Sequence, residues 1–150
     1  MTTAMVEHMK LRRQSVKRLI FVGGLPGSGK TTFARYIAQE TGGFDVAADD
    51  FFTRGGDYKF EPAKLADAHK WCQDYVKWEL THDDFDTVIV HNTGSRKWER
   101  KVYKEIAEQT GAEYTEIFVN TNLTDEELAG RNVHNVPVDV IKKMRERWEM

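Results

Sequence analysis

Arg18-Leu19-Ile20-Phe21-Val22-Gly23-Gly24-Leu25-Pro26-Gly27-Ser28-Gly29-Lys30-Thr31-Thr32-Phe33 is the stretch that decides the fold. Its first part is a short apolar run closed by glycines, the pattern of a strand buried on both faces of a parallel sheet. A helix should begin at Lys30 and run to about Gln39, with Phe33 and Ile37 one turn apart and Gly42-Gly43 closing it. Between strand and helix, Gly24 to Thr31 matches G-x-x-x-x-G-K-[ST], and this strand–loop–helix setting marks a phosphate-binding P-loop rather than an ordinary glycine-rich turn. Glycines permit backbone geometry that turns successive N–H groups inward toward phosphate oxygens. Lys30 supplies a point charge between β- and γ-phosphates, Thr31 a hydroxyl ligand for Mg²⁺, and the helix its positive end. Gly24, Pro26, Gly27, Ser28, Gly29, Lys30, Thr31 and Thr32 are therefore the candidate nucleotide contacts, with ATP and Mg²⁺ as the implied cofactors.

Working outward, Phe44 to Ala48 reads as a second short strand ending in Asp49-Asp50, and Phe51 to Phe60 as an irregular surface loop. Pro62 suits a first helical position, and Leu65, His69, Cys72, Val76 and Leu80 mark the inner face of the helix that follows. Thr87 to Val90 is a third, buried strand ending in His91-Asn92. Ser95 is placed to cap a helix running to Thr110, where Gly111 ends it, and the spacing of Trp98 and Val102 assigns that tryptophan to the core. Tyr114 to Val119 is a fourth strand. Thr124-Asp125-Glu126-Glu127 has capping-box spacing, and Pro137 opens a last helix lined by Val140, Met144 and Trp148. Strands alternating with helices in this way predict an α/β three-layer sandwich, a parallel sheet flanked by helices with a small helical lid. Ligands of such sheets bind beyond the carboxyl ends of the strands, so Asp49-Asp50 and His91-Asn92 should face one site.

Composition bounds the reading. The 150 residues carry 22 Lys plus Arg against 24 Asp plus Glu, a net charge of −2 and a pI near 6.2, which exclude a protein gripping nucleic acid by bulk charge. The single cysteine, Cys72, excludes an intramolecular disulfide and falls in a helical pattern as a buried thiol. No apolar run is long enough to span a bilayer and the N-terminus lacks a signal-peptide core, so a cytoplasmic protein is expected, in a phage-infected cell if the gene is viral. Nothing resembles N-K-x-D, which sets aside GTPases, and the third strand ends in His91-Asn92 rather than the carboxylate of large ATPases. What remains is a small P-loop kinase transferring the γ-phosphoryl group to a hydroxyl.

The chain resembles the polynucleotide-kinase-like branch of P-loop kinases, which holds the bacteriophage 5′-hydroxyl polynucleotide kinase, short phage and bacterial ATP-binding proteins, and DNA hydroxymethyl-pyrimidine kinases. The resemblance spans Leu19 to Trp148 and rests on Gly24 to Thr32, Ala48-Asp49-Asp50-Phe51-Phe52, Tyr58-Lys59-Phe60, Leu65, Ala68-His69, Cys72, Val88-Ile89-Val90-His91-Asn92-Thr93, and Arg131-Asn132-Val133-His134-Asn135-Val136-Pro137. It implies Asp49 as general base, a role suited to an acceptor alcohol that must lose its proton. It also implies Arg131 as a lid arginine on the transferred group. Asp50 is the neighbouring acceptor-side candidate, expected to order the loop through backbone N–H groups. The phage enzyme has an arginine three residues after its base, where this chain has Phe52; Arg54 lies close by as a substitute, and Phe51 or Phe52 offers a stacking face. Relatives read Asp-Asn-Thr where this chain reads His91-Asn92-Thr93, leaving His91 either an acceptor contact or a structural histidine. Some carry a second lid arginine where Asn135 stands.

On this basis residues 1–17 are expected to form a basic, flexible tail, with Met5, Met9 and Leu11 able to dock part of it, and 18–150 one kinase domain. Phe44 to Asp86 holds eleven acids against five bases, while bases gather in Lys10–Arg18, Arg96–Lys104 and Lys142–Arg147. Arg96 and Lys97 follow a strand end at the expected site, placed to meet a phosphate backbone. The expected partner is nucleic acid, first a 5′-hydroxyl end of DNA or RNA. The alternatives are 5-hydroxymethyluridine within DNA, a small metabolite or nucleoside, or a non-catalytic nucleotide-binding module.

Overall fold

A computed structural model describes residues 2–5, 16–82 and 84–150. Of the expected N-terminal tail, Met9 and Leu11 lie outside the described residues; Met5 is exposed, and at the tail's end the Lys17 carbonyl accepts from Glu113 N while its Nζ donates to the Leu80 carbonyl.

Four parallel strands, β1 (Arg18–Gly23), β2 (Phe44–Val46), β3 (Thr87–His91) and β4 (Glu113–Phe118), form one sheet in the order β2-β3-β1-β4. β1 registers Leu19 on Val88 and Tyr114, and Val22 on His91 and Ile117. The helices are α1 (Lys30–Thr41), α2 (Leu65–Thr81), α3 (Lys97–Thr110), α4 (Asp125–Arg131) and α5 (Val138–Glu146). Strand alternation sends Leu19, Phe21, Val88 and Val90 to one face, where α2 and α3 add Ala68, Cys72, Val76, Leu80, Tyr103, Ile106 and Ala107. Val22 and Ile89 face the other way, onto Ala34 and Ala38 of α1. The expected α/β sandwich is therefore the observed fold.

Several elements differ from their sequence readings. β2 stops at Val46, and Ala48–Thr53 is a 3-10 helix. The cause is local competition for donors: Ala47 N–H goes to Asp50 Oδ2 at 2.9 Å and Ala48 N–H to Asn92 Oδ1 at 2.8 Å, so neither continues the ladder. On α1 the buried residues are the small Ala34 and Ala38, which admit the helix close to the sheet, while Phe33 is exposed. Pro62 opens a 3-10 turn, Pro62–Lys64, and the buried stripe of α2 starts at Ala68, leaving Leu65 exposed. Ser95 does not cap α3: Arg96 holds that position, and the buried Ser95 hydroxyl accepts from Arg147 Nε at 2.9 Å. Trp98 is 71% exposed, because the inner face of α3 is Arg100, Tyr103, Ile106 and Ala107. Ile141, absent from the expected stripe, is the buried residue of α5.

The capping box at Thr124 is present, with Glu127 N donating to Thr124 Oγ1 at 3.1 Å and Thr124 N to Glu127 Oε1 at 3.3 Å. It starts α4, which with α5 makes the small helical lid. Among the described residues no helix is long and apolar enough to cross a membrane.

Candidate active site

The site lies beyond the carboxyl ends of β1, β2 and β3. After β1 the chain turns through Gly27 and Gly29, both left-handed at φ 80° and 95°, and α1 starts on Gly29 with no side-chain cap. A Cβ at Gly29 would have no atom within 4 Å, so the loop is open on that side. Beneath it the buried Ser28 hydroxyl has no hydrogen-bond partner among the described residues. Lys30 Nζ reaches back to the Leu25 carbonyl at 3.4 Å. Burial lowers its pKa from 10.5 to about 8, against the upward pull of Asp49. Open uncapped N–H groups, an orphaned hydroxyl and a desolvated ammonium make a cradle suited to an anion, so the residues present fit the phosphates of a nucleotide.

Asp49 stands on the 3-10 turn, with its side chain 45% exposed. That turn is held at both ends. Asp50 folds back on Ala47 N, and Thr53 Oγ1 donates to the Asp50 carbonyl at 2.9 Å. Asn92, on the α2–α3 side of β3, holds Ala48 N with its carbonyl oxygen and donates from Nδ2 to the Tyr103 hydroxyl at 3.3 Å. Both ends of the buried Asn92 amide are thus engaged, and its observed role is to support the turn rather than to face an acceptor.

His91 projects to the opposite, α1 side. It is buried, with Nε2 3.0 Å from Asp45 Oδ2 and Nδ1 3.3 Å from Thr31 Oγ1, so it contacts neither Asp49 nor open space. The bond from His91 holds the Asp45 carboxyl below its usual range, and Arg35 at 3.9 Å adds to that effect. Asp45 was not marked by any motif.

Phe52 is 6% exposed, packed edge-on against Phe51, Tyr58 and Phe60, so its ring supports the loop from below instead of offering a stacking face. Arg54 lies with its guanidinium 3.8 Å over the Phe51 ring and donates from Nε to the Phe51 carbonyl at 3.0 Å. Arg96 turns to Glu149 at 3.8 Å. Thr32 is exposed on the first turn of α1. Arg131 is exposed at the last residue of α4. Its neighbours close on the P-loop: a Cβ at Gly27 would lie 2.4 Å from the Leu128 carbonyl and 3.2 Å from Asn132 N.

Two residues beside Asp49 carried no sequence spacing to reveal them. The Tyr58 hydroxyl donates to Asp49 Oδ1 at 3.4 Å, and His134 Nε2, from the loop between α4 and α5, lies 3.5 Å from Asp49 Oδ2. Burial, then the Asp49 charge, push the Tyr58 phenol up to about 12, so its proton stays in place.

A second feature lies on α3. A groove of about 400 Å³ along the outer side of α3 is lined by Lys97, Trp98, Lys101, Lys104 and Arg100 with Glu116 and Met150. Arg100 is buried, pairing through Nε with Glu116 at 2.8 Å and donating to the Gly94 carbonyl at 2.6 Å, while Lys97, Lys101 and Lys104 are exposed, Lys101 with Glu105 at 3.9 Å.

Comparison with known proteins bears on this geometry. A family model described as AAA domain matches residues 19–150. NEDD4-binding protein 2 of Homo sapiens is 32% identical over 136 residues, 87% of this chain and 8% of that protein. A chain of the Pnkp1/Rnl/Hen1 complex superimposes with a TM-score of 0.62 at 27% identity, over 78% of this chain and 39% of that one. Kti12 of Chaetomium thermophilum, solved with ADP-AlF3, gives a TM-score of 0.65 at 17% identity, over 88% and 80%. The chain spans less than half the length of the first two.

Proposed function

We propose, on the premise that this chain belongs to the AAA domain family matched across residues 19–150, that it is an ATP-dependent kinase whose acceptor is a hydroxyl of a nucleic acid, first a 5′-hydroxyl end. The observation that carries the reading is a P-loop with an orphaned Ser28 hydroxyl and a buried Lys30, beside a turn that presents the half-exposed Asp49 carboxylate. Asp49 is near enough for its charge to pull the Lys30 pKa upward against the effect of burial.

In the transfer, the acceptor oxygen bonds to the γ-phosphorus as the bond from phosphorus to the β–γ bridging oxygen breaks. The acceptor proton passes to Asp49, and the products are ADP and a phosphomonoester. Lys30 holds the β- and γ-phosphates, backbone N–H groups of the P-loop and the start of α1 hold the remaining oxygens, and Ser28 gains a partner. Arg131, between the two residues that close on Gly27, adds charge to the transferred group when the lid is down. Thr31 Oγ1, 3.3 Å from His91 Nδ1 at the start of α1, is the hydroxyl that would face a cation. A Mg²⁺ ion would be held by Thr31 together with the nucleotide's phosphates, and would supply charge neutralisation of their oxygens.

The nucleic-acid part of the reading is supported by the Lys97, Lys101 and Lys104 groove with the exposed Trp98, and by the likeness to a chain of the Pnkp1/Rnl/Hen1 complex. The test is labelled ATP with 5′-hydroxyl DNA and RNA, hydroxymethyluracil-containing duplex, nucleosides and small alcohols. Label should appear on a nucleic acid, and Asp49→Asn should reduce the rate on the order of 10²- to 10⁴-fold. Label on no acceptor, with ATP hydrolysis unchanged in Asp49→Asn, would sink the kinase reading.

A further inference from the structure

Beside Asp49 three rings are arranged in series. Tyr58 and Phe60 are parallel within 5° at 6.5 Å between centroids, and His134 lies on Tyr58 at 4.3 Å and 31°. Phe52 props both tyrosine and phenylalanine edge-on from the core, at 6.2 and 5.1 Å, and Lys59 N donates to the Phe52 carbonyl at 3.0 Å, fixing the loop that carries them. The Tyr58 shelf is therefore built into the domain. Its His134 cover is not, since that ring belongs to the lid loop. The loop's own bonds run to Asn132, whose side chain accepts from His134 N and Val136 N at 3.2 and 2.9 Å, and it passes through Asn135 at φ 56°. The His134 side chain is one-third exposed and touches the domain through Tyr58 and Asp49.

We propose that the Tyr58 face now covered by His134 is a stacking shelf for a nucleobase of the acceptor, and that His134 is the ring it displaces. The argument is one of placement. A flat ring at the His134 position lies at stacking distance from Tyr58 while its edge points at the Asp49 carboxylate, as the 3.5 Å separation from Nε2 demonstrates. A hydroxyl attached to, or a short tether beyond, such a ring is delivered to Asp49. The Tyr58 hydroxyl, donating to the other oxygen of Asp49, leaves Oδ2 to take the proton. A sugar or small alcohol lacking a planar ring gains nothing from this shelf. The proposal rests on the kinase reading above and narrows its acceptor to one presenting a nucleobase next to the reacting hydroxyl.

The experiment compares two 5′-hydroxyl strands that differ only at the terminal residue, one with its nucleobase and one abasic. These are tested on the parent protein, Tyr58→Phe, Tyr58→Leu and His134→Ala, with folding checked by circular dichroism. The parent should prefer the base-bearing strand on the order of ten- to a hundredfold in kcat/KM, the range expected of one base–aromatic stack. Tyr58→Phe keeps the ring and should keep the preference; Tyr58→Leu should reduce it to within about threefold, expressed in KM. His134→Ala should lower KM for the base-bearing strand by more than for the abasic strand, and an equal change in the two would count against the shelf. Equal use of both strands by the parent, or a preference that survives Tyr58→Leu, overturns the shelf while leaving the kinase reading standing. If label goes only to a base-borne hydroxymethyl group, a KM at least tenfold higher in Tyr58→Leu than in Tyr58→Phe supports the shelf and equal values overturn it. Label on no acceptor at all is the failure of the kinase reading, seen before any variant is compared.

Discussion

The Thr31 hydroxyl oxygen lies 3.3 Å from Nδ1 of His91, whose Nε2 faces the Asp45 carboxylate at 3.0 Å. In a P-loop whose third strand ends without a carboxylate, this line of three side chains would hold Thr31 in place as the proposed Mg²⁺ ligand. His91→Ala should therefore raise the Mg²⁺ concentration for half-maximal rate about 10- to 100-fold, the usual effect of removing a residue that orients a metal ligand. A Mg²⁺ titration superimposable on that of the parent protein would show that His91 is packing alone.

Gly27 and Gly29 are both left-handed, yet only Gly27 has a neighbour. Alanine at either position pays roughly 1–2 kcal/mol for the conformation, but at Gly27 its Cβ would also meet the Leu128 carbonyl at 2.4 Å. Gly27→Ala should thus lift α4 from the loop and speed tryptic cleavage after Arg131 several-fold, whereas Gly29→Ala should leave that cleavage at the parent rate. Equal cleavage of the two variants would refute the lid contact.

Much of this was readable in the residues, and the exceptions share a cause. The P-loop, the Thr124 capping box and the alternation of β1 and β3 are local patterns, and local patterns survive folding. Trp98 was misassigned because helix-face arithmetic treats arginine as polar. On α3 the slot beside the sheet is taken by Arg100, which is tolerable there because Glu116 balances its charge and the Gly94 carbonyl accepts from Nη1, and the whole face rotates away from Trp98. Ser95 was misread as a cap because its real partner, Arg147, comes from the far end of the chain. Tyr58 and His134 meet over Asp49 from segments with no shared periodicity, so nothing in their spacing announced the pair.

Cys72 offers a test of the core. Burial pushes its thiol up from 9.0 to about 11, and it lies 4.0 Å from Asn92 Nδ2. At pH 8 the folded protein should resist a thiol reagent for many minutes, then react at once in guanidinium. The sign for stability follows: a thiol whose folded pKa is raised favours folding below pH 9 and loses that contribution as pH rises from 9 toward 11. The Tyr58, Tyr103 and Tyr114 phenols are displaced upward as well, chiefly by burial, so they act in the same direction at higher pH. Lys30, lowered to about 8, acts in the opposite direction up to pH 10.5, so the thermal melting temperature should fall only above about pH 10.5, and a thiol that titrates freely at pH 8 in the native protein would contradict the buried site.

The α3 groove distinguishes a polymer acceptor from a small one. Lys97 sits in the first turn of α3, four residues past Thr93, whose carbonyl accepts from Gly24 N at 3.2 Å. Lys101 and Lys104 continue it along the helix, and Trp98 stands 71% exposed at its side. If a strand leaving the site lies here, each lysine neutralises about one phosphate, and log Kd for single strands should lose about 0.7 of salt slope per lysine removed. Replacing all three by alanine should then cut the slope by about 2 and weaken binding of a long strand at low salt, while a mononucleotide-sized acceptor turns over as before. Trp98→Ala should weaken the same long strand by the loss of one stack, about 1–3 kcal/mol, at any salt concentration. A salt slope unchanged in the triple variant would mean that the acceptor is held at its reacting end alone.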